Sequence, residues 1–393
     1  MIRNSAVYKC RRALCALLVP AIFFASCSSL SQNLPAIPSI SPPGEDEETR
    51  ISREFRREAR KYFKFVNHPE VERYVDRIGR RILAAMGPQP FDYRFFIVDE
   101  DQLNAFAVPG GSIYVFSGLI ERAKTTDELA GVLGHELVHI KARHMARSSG
   151  PDAISVLSLL SMVALARSGS GAQAAGMVGQ AVAATRQAAY SRQLEMEADT
   201  LGARYMSSAG YDPKGAIAFL KTLDQDRALN PIDVPAYIMS HPITQERVAN
   251  AELVVRSLGV VQAKAESPES LKKVQTIIRM SRPGAEAVVK ELENAVQQNP
   301  DNPEQRYLLG FAQQLQGQLA EAERNFDQAR RARPDNPALQ RDLGRLYGQK
   351  GDFVGSRQAF DRALALEPNE PLTYLYLGEM LEKSGDLRSA AGA

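Results

Sequence analysis

A chain of 393 residues is too long for one small domain and leaves room for two or three. Its hydrophobic content of 44% and its charged content of 24% are those of a soluble globular protein. The formal net charge of +2 is too small to indicate nucleic-acid binding, so we expect no nucleic-acid partner.

Residues 1–26 have the pattern of an export signal. The basic stretch MIRNSAVYKCRR precedes the apolar stretch ALCALLVPAIFFA, which is shorter than the roughly 20 residues of a membrane-spanning helix. Ala25 and Ser26 before Cys27 resemble a bacterial lipobox, although Phe24 stands where leucine is usual. We therefore predict export and a lipid on Cys27. Ordinary cleavage after a small residue, which leaves a soluble periplasmic protein, is the alternative.

The cysteines and the segment after the signal agree with this interpretation. Cys10 and Cys15 would be removed with the signal, so the mature chain could form no internal disulfide. Ser28 directly after Cys27 resembles lipoproteins retained at the outer membrane, which predicts a periplasmic protein anchored there by its lipid. Residues 27–48 are proline-rich and then acidic, as expected of a flexible tether.

Residues 49–262 predict a mostly helical α+β domain. In HPEVERYVDRIGRRILAAMG, apolar residues recur at helical spacing, and Pro69 lies where a first helical turn tolerates it, which leaves His68 as a surface or capping residue. FDYRFFIVD (91–99) is a strand candidate, and two short extended runs are predicted in 104–120 around a Pro-Gly-Gly turn. Two or three strands beside helices indicate an α+β unit.

Residues 153–182 begin with an apolar run and continue as a Gly/Ala-rich stretch. We interpret them as a buried helix followed by a flexible lid over the metal site that the HELVH segment predicts. A hairpin that dips into a membrane is the alternative, because the apolar run is too short to span a bilayer as a helix.

Residues 267–393 repeat themselves and predict an all-α solenoid. The Leu-Gly pairs that begin at Leu309, Leu343 and Leu377 are spaced 34 residues apart, which is the period of tetratricopeptide repeats. In this register, small residues let two helices approach closely and phenylalanines fill the space between neighbours. Residues 267–300 keep fewer of these positions and are interpreted as a degenerate first repeat.

The sequence HELVH points to a metal site. His135 and His139 are four residues apart on a predicted helix, so both imidazoles can face one ion. Glu136 lies beside them and could take a proton from the attacking water, as a zinc hydrolase requires. Thr125 and Glu128 have the spacing of a capping box and mark the start of this helix.

Catalytic zinc takes three protein ligands, so a third one is needed. An extended H-E-x-x-H-x-x-G-x-x-H site is excluded, because Ala142 and Met145 stand where it needs glycine and histidine. His144 is one residue out of that register, and we interpret it as a solvated or capping histidine.

A later helix, in SRQLEMEADTLGARY, supplies a carboxylate instead. Glu195 and Asp199 are four residues apart, so one can bind zinc while the other holds a ligand imidazole by its remaining N–H. Glu197 is the competing candidate for the third ligand.

Four segments together resemble the HtpX and CAAX-prenyl-protease superfamily of zinc metallopeptidases: HELVH, EMEAD, NAFAVPGG and SHPITQER. The resemblance implies one Zn²⁺ per chain, held by His135, His139 and Glu195, with Glu136 as general base and Asp199 supporting a ligand. The E-x-x-A-D pattern of this superfamily favours Glu195 over Glu197.

Three further residues are singled out by these segments. His241 could be a structural histidine in a turn, could stabilise the oxyanion of the tetrahedral intermediate, or could occupy the fourth position of zinc and inhibit the enzyme. Arg247 could contact an oxyanion or a bound carboxylate. Asn104 resembles a residue of the edge strand above zinc, where it would contact the substrate backbone; ordinary strand packing is the alternative.

The resulting hypothesis is a zinc endopeptidase of the bacterial cell envelope that degrades unfolded or misassembled proteins. The repeats would bind substrate or a partner, and the resemblance implies the outer-membrane barrel assembly machinery as that partner. The alternative is a periplasmic chaperone or assembly scaffold for outer-membrane proteins, with a mostly silent or self-inhibited metal site.

Overall fold

The structure is a computed structural model that describes residues 44–148, 192–229, 236–259, 268–390 and 392. The predicted export signal, Cys27, nearly all of the predicted tether and the segment 153–182 lie outside the described residues. None of the described helices combines the length and the apolar character needed to cross a membrane.

Helices dominate the described part of the chain, and a small sheet lies near its beginning. The helices are α1 (Glu45–Tyr62), α2 (Pro69–Ala85), α3 (Ser117–Arg122), α4 (Thr126–Lys141), α5 (His144–Ser148), α6 (Arg192–Ser208), α7 (Lys214–Leu229), α8 (Ala236–Ser240), α9 (Gln245–Leu258), α10 (Pro268–Met280), α11 (Ala285–Gln298), α12 (Pro303–Leu315), α13 (Leu319–Ala332), α14 (Pro337–Lys350), α15 (Phe353–Leu366), α16 (Pro371–Ser384) and α17 (Leu387–Ala390). The strands are β1 (Arg94–Val98), β2 (Ala105–Val108) and β3 (Ser112–Phe116). The predicted fold class, a mostly helical α+β domain followed by helical repeats, is confirmed.

The strands form one sheet in the order β1-β3-β2, with β1 parallel and β2 antiparallel to β3. Gly110 and Gly111 both have positive φ and make the predicted turn between β2 and β3. Within 104–120, the last residues form α3 rather than a strand. An apolar run such as YVFSGLI suits either a buried strand or a buried helix, so its pattern could not distinguish them.

The starts of three helices can be compared with the predictions: one differs and two agree. α1 begins at Glu45, so the acidic end of the predicted tether is helical; acidic side chains in a first turn are favourable near the helix N-terminus. His68 caps α2, since its Nδ1 accepts a hydrogen bond from the Glu70 backbone N–H (3.3 Å). Thr125 caps α4 by accepting from the Glu128 N–H (3.2 Å), as predicted.

The repeats are helix pairs packed through glycine and phenylalanine. A Cβ added at Gly310 would lie 2.8 Å from the Phe326 ring, and one added at Gly344 would lie 2.9 Å from the Phe360 ring. The predicted packing role of the repeated glycines is therefore confirmed at these two positions.

The repeats share a core with the first domain. Leu271, Val274 and Ile278 of α10 belong to the same buried apolar cluster as Val71 of α2. From the same helix, the Gln275 side-chain N–H₂ donates to three backbone carbonyls at the end of α3, those of Ile120, Glu121 and Ala123, at 2.8–3.2 Å.

A buried charge cluster crosses the same junction. The Glu70 carboxylate at the start of α2 pairs with Lys273 of α10, accepts from Arg345 of α14 (3.1 Å) and contacts the Tyr376 hydroxyl of α16 (3.3 Å). Burial alone would raise the pKa of Glu70, but Lys273, Arg341 and Arg345 outweigh burial and hold this pKa at about 2.

We predict that Glu70→Gln lowers the free energy of unfolding of the full chain by about 3 kcal/mol at pH 7, because the buried cations lose their anion. A carboxyl whose pKa is depressed in the folded protein stabilises it above pH 4.5, and this contribution is lost as the pH falls toward 2. The difference in unfolding free energy between wild type and variant, measured by urea titration, therefore narrows over that range.

Glu54→Gln is the control, because it removes an exposed pair with Arg50 and should cost under about 1 kcal/mol. Equal costs for the two variants at pH 7 would contradict a stabilising role of the buried cluster.

Candidate metal centre

Two helices bring together the three predicted ligands. On α4, the Nε2 atoms of His135 and His139 lie 2.9 Å apart. Glu195, in the first turn of α6, places Oε2 3.4 Å from His135 Nε2 and Oε1 3.4 Å from His139 Nε2. All three side chains are buried.

Glycine allows α6 to lie this close to α4. A Cβ added at Gly202 would lie 3.0 Å from the backbone nitrogen of His135, and one added at Gly134 would lie 3.1 Å from the carbonyl oxygen of Gly202. Gly202 is two helical turns after Glu195, so the two residues share one face of α6. These glycines were not assigned to the site from the sequence. Gly134 directly precedes His135 and Gly202 is two helical turns after Glu195, and these positions could have indicated a close contact between the two helices.

A fourth donor comes from His241, just after α8. Its Nδ1 lies 3.3 Å from His135 Nε2 and 3.1 Å from Glu195 Oε1. Its backbone N–H donates to the Tyr237 carbonyl (2.8 Å), and its ring stacks on the Tyr237 ring with centroids 4.6 Å apart. Tyr237 therefore fixes both the backbone and the ring of His241.

The four donor atoms fit a zinc ion. One donor atom from each of the four residues lies within 4.8 Å of the others, and the five separations given above, which involve both oxygens of Glu195, run from 2.9 to 3.4 Å. Four nitrogen and oxygen ligands at the usual zinc distances of about 2.0–2.1 Å would form a tetrahedron with edges of about 3.3 Å. Three imidazoles and a carboxylate are also donors that zinc prefers.

Asp199 and Arg247 lie behind the ligands. Asp199 Oδ1 is 2.9 Å from His135 Nδ1. The Arg247 guanidinium donates to both oxygens of Asp199 (2.8 and 2.9 Å) and lies 2.8 Å from Glu195 Oε2. Burial alone would raise the pKa of Glu195, but His241 and His135 outweigh burial and hold it well below its ordinary value.

This placement of Arg247 differs from the expectation that it contacts an oxyanion. The side chain is 1% exposed, and the groups that its nitrogens face are the two carboxylates and the Pro242 carbonyl (2.9 Å). Arg247 therefore contacts the site through Asp199 and Glu195.

Glu136 points toward His241 from the next position on α4. Its carboxylate is 1% exposed, makes no hydrogen bond of ordinary geometry to a described residue, and lies 3.5 Å from His241 Nε2. Burial raises the pKa of Glu136, against the opposing effect of His241. A carboxylate in this position is available to exchange a proton.

The competing carboxylate and the third histidine of the region lie outside the donor group. Glu197 pairs with Arg147 (3.1 Å) instead of joining the four donors. We predicted a solvated or capping histidine at His144, but its side chain is completely buried, with Nδ1 2.9 Å from His139 Nδ1. The prediction was wrong because α4 ends at Lys141, so helical register no longer places His144.

Asn104 lies directly before β2, at the edge of the sheet that packs near α4. It is 4% exposed, and its carbonyl accepts a hydrogen bond from the Phe116 N–H (3.0 Å). Among the described residues, β2 pairs with β3 on one side only.

Comparison with known proteins agrees with this geometry. Residues 69–254 match peptidase family M48, and residues 312–371 and 341–393 match the tetratricopeptide repeat. The chain therefore contains a peptidase M48 domain followed by C-terminal tetratricopeptide repeats.

Several known proteases are similar to part of this chain. The chain is 31% identical over 194 residues to Beta-barrel assembly-enhancing protease of Escherichia coli (strain K12), which covers 47% of this chain and 39% of that protein. It is 33% identical over 196 residues to Putative beta-barrel assembly-enhancing protease of Vibrio cholerae (47% and 39%). It is 31% identical over 185 residues to Mitochondrial metalloendopeptidase OMA1 of Schizosaccharomyces pombe (46% and 51%). The chain thus spans about two fifths to one half of the length of these relatives.

We predict that Gly202→Val weakens zinc binding, because the added side chain pushes α6 and Glu195 away from α4. Overpacking of this kind should also cost about 1–3 kcal/mol of stability. Thr200→Val is the control on the same helix, since Thr200 faces Asn250 (3.1 Å) rather than α4. Zinc affinity is measured by competition with a chelator; equal affinities of the two variants would contradict the role of the close approach.

Proposed function

We propose that this protein is a zinc-dependent endopeptidase of the bacterial cell envelope that degrades misfolded or misassembled proteins. The observation that carries the proposal is the buried group of His135, His139 and Glu195 beside the Glu136 carboxylate, within a domain that matches peptidase family M48. Two of the relatives cited above are named as barrel assembly-enhancing proteases, which supports the choice of envelope proteins as substrates.

Two roles are assigned to the residues of the site, namely metal binding and proton transfer. His135, His139 and Glu195 would hold the zinc, which when bound supplies Lewis acidity toward the scissile carbonyl and makes water more acidic. Glu136 takes a proton from the attacking water and returns it to the departing amine. Burial raises the pKa of Glu136 above its ordinary value, which makes the carboxylate a better acceptor for the proton of the attacking water.

Substrates would bind along β2. An extended chain can pair with the unpaired main-chain groups of an edge strand, and Asn104 lies at the start of that edge. Main-chain pairing depends little on sequence, so unfolded chains of many sequences are the expected substrates.

The repeats would bind substrate or a partner, with the outer-membrane barrel assembly machinery as the proposed partner. Tetratricopeptide repeats form concave surfaces that suit protein ligands. Export and a lipid on Cys27 would place the protein at the periplasmic face of the outer membrane.

His241 would keep the enzyme inactive at rest. Its Nδ1 lies 3.3 Å from His135 Nε2 and 3.1 Å from Glu195 Oε1, so it could serve as a fourth ligand and would then compete with water for the ion. The same observation favours the second candidate function, a chaperone or assembly scaffold whose metal site is self-inhibited. A role for His241 in stabilising the oxyanion is the alternative to inhibition.

We predict that Glu136→Gln lowers the rate of cleavage of a denatured protein by about 10²–10⁴-fold, because the general base is lost. Zinc content stays at one ion per chain, since Glu136 is not among the four donors. Glu246→Gln, an exposed position at the start of α9, is the matched control and should cleave normally.

The protease proposal fails if Glu136→Gln cleaves as fast as wild type or if cleavage survives removal of zinc by a chelator. A scaffold, in contrast, would keep its cellular role in the Glu136→Gln variant.

We predict that His241→Ala raises the rate of cleavage while weakening zinc binding, because one ligand is removed and its position opens to water. Both quantities are measured on the full chain, by cleavage of a denatured protein and by competition with a chelator. A collapse of activity with unchanged zinc affinity would instead support stabilisation of the oxyanion.

A further inference from the structure

We propose that His144 is a positioning residue that orients the metal ligand His139 and passes this restraint on to Glu197. The inference rests on the proposed zinc site and adds to it a second chain of residues behind the ligands. His144 is completely buried, and its ring meets the His139 ring edge-to-face at 82°, with the two Nδ1 atoms 2.9 Å apart.

The direction of this hydrogen bond follows from the metal site. His139 Nε2 faces His135 Nε2 and Glu195 Oε1, so it is the atom that offers a lone pair to the ion. A neutral imidazole that binds a metal through Nε2 carries its proton on Nδ1. His139 Nδ1 therefore donates, and His144 Nδ1 accepts.

The acceptor role fixes the proton on the other nitrogen of His144. This nitrogen, Nε2, lies at an ion-pair distance of 3.4 Å from Glu197 Oε2, and the Arg147 guanidinium donates to the same carboxylate oxygen at 3.1 Å. The chain of contacts runs from His139 through His144 to Glu197 and Arg147. Glu197 is the one carboxylate of the EMEAD segment that contacts neither the four donor residues nor Arg247.

The other ligand imidazole is held in a parallel way. His135 donates from Nδ1 to Asp199, which is in turn fixed by Arg247. Both chains therefore end in a carboxylate and a guanidinium. An intervening neutral imidazole keeps the second carboxylate away from a pocket that already contains Glu136, Glu195 and Asp199, where another buried anion would be costly.

The backbone turn before His144 is built to place it. Arg143 has φ +53°, an unusual value for a residue other than glycine, and it separates α4 from α5. Its guanidinium pairs with the buried Glu48 carboxylate of α1 at 2.7 Å. This contact holds the turn from outside the two helices, and α5 then begins at His144.

The test compares His144→Leu with His144→Asn in the full chain. Leucine removes the acceptor, so the zinc dissociation constant should rise about 10–100-fold. The Asn Oδ1 atom is the same number of bonds from the backbone as His Nδ1 and accepts from His139, so this variant should stay within about threefold of wild type. The thermal unfolding of the zinc-free proteins controls for a loss of stability, and should be similar for both variants.

A second measurement needs no variant. NMR of the zinc-loaded chain labelled with ¹⁵N-histidine should show His144 as the neutral tautomer with its proton on Nε2. A proton on Nδ1, or a His144→Leu variant that binds zinc as tightly as wild type, would overturn the inference and leave the proposed protease intact. A wild-type chain that binds no zinc would overturn both.

Discussion

The near contact between the backbones of α4 and α6 is the constraint on which the metal centre depends. Neither Gly134 nor Gly202 carries a side chain at the point of contact, so a carboxylate two turns away reaches both imidazoles of α4. A larger residue at either position would separate the helices and move Glu195 away from the two imidazoles. The HELVH segment supplies two of the proposed ligands on one helix, and the helix contact brings the proposed third ligand to them.

The pocket contains many buried charges, and those behind the donor atoms are stable there because they are paired. Arg247 bridges Glu195 and Asp199, and burial of unpaired charges would be costly. A comparable cluster around Glu70 joins α2 to the repeats. From α2, the Tyr74 hydroxyl bonds to Thr126 at the start of α4 (2.8 Å). The repeats and the metal-binding helix are thus connected through buried contacts rather than through a linker alone.

Local patterns predicted the parts of the site that lie on one regular helix. His135, Glu136 and His139 could be placed because helical spacing determines their directions, and the caps at His68 and Thr125 follow from the same local rules. Positions that depend on how distant elements pack were less accessible. His144 was misplaced because the chain leaves helical geometry at Arg143, and α3 was taken for a strand because a short apolar run does not distinguish the two.

The most direct test of the account is X-ray absorption at the zinc edge on the purified full chain. The four donors His135, His139, Glu195 and His241 predict a single shell of nitrogen and oxygen at about 2.0–2.1 Å, with scattering from three imidazoles. A protein without bound zinc, a sulfur shell near 2.3 Å, or an ion surrounded by oxygen alone would contradict it.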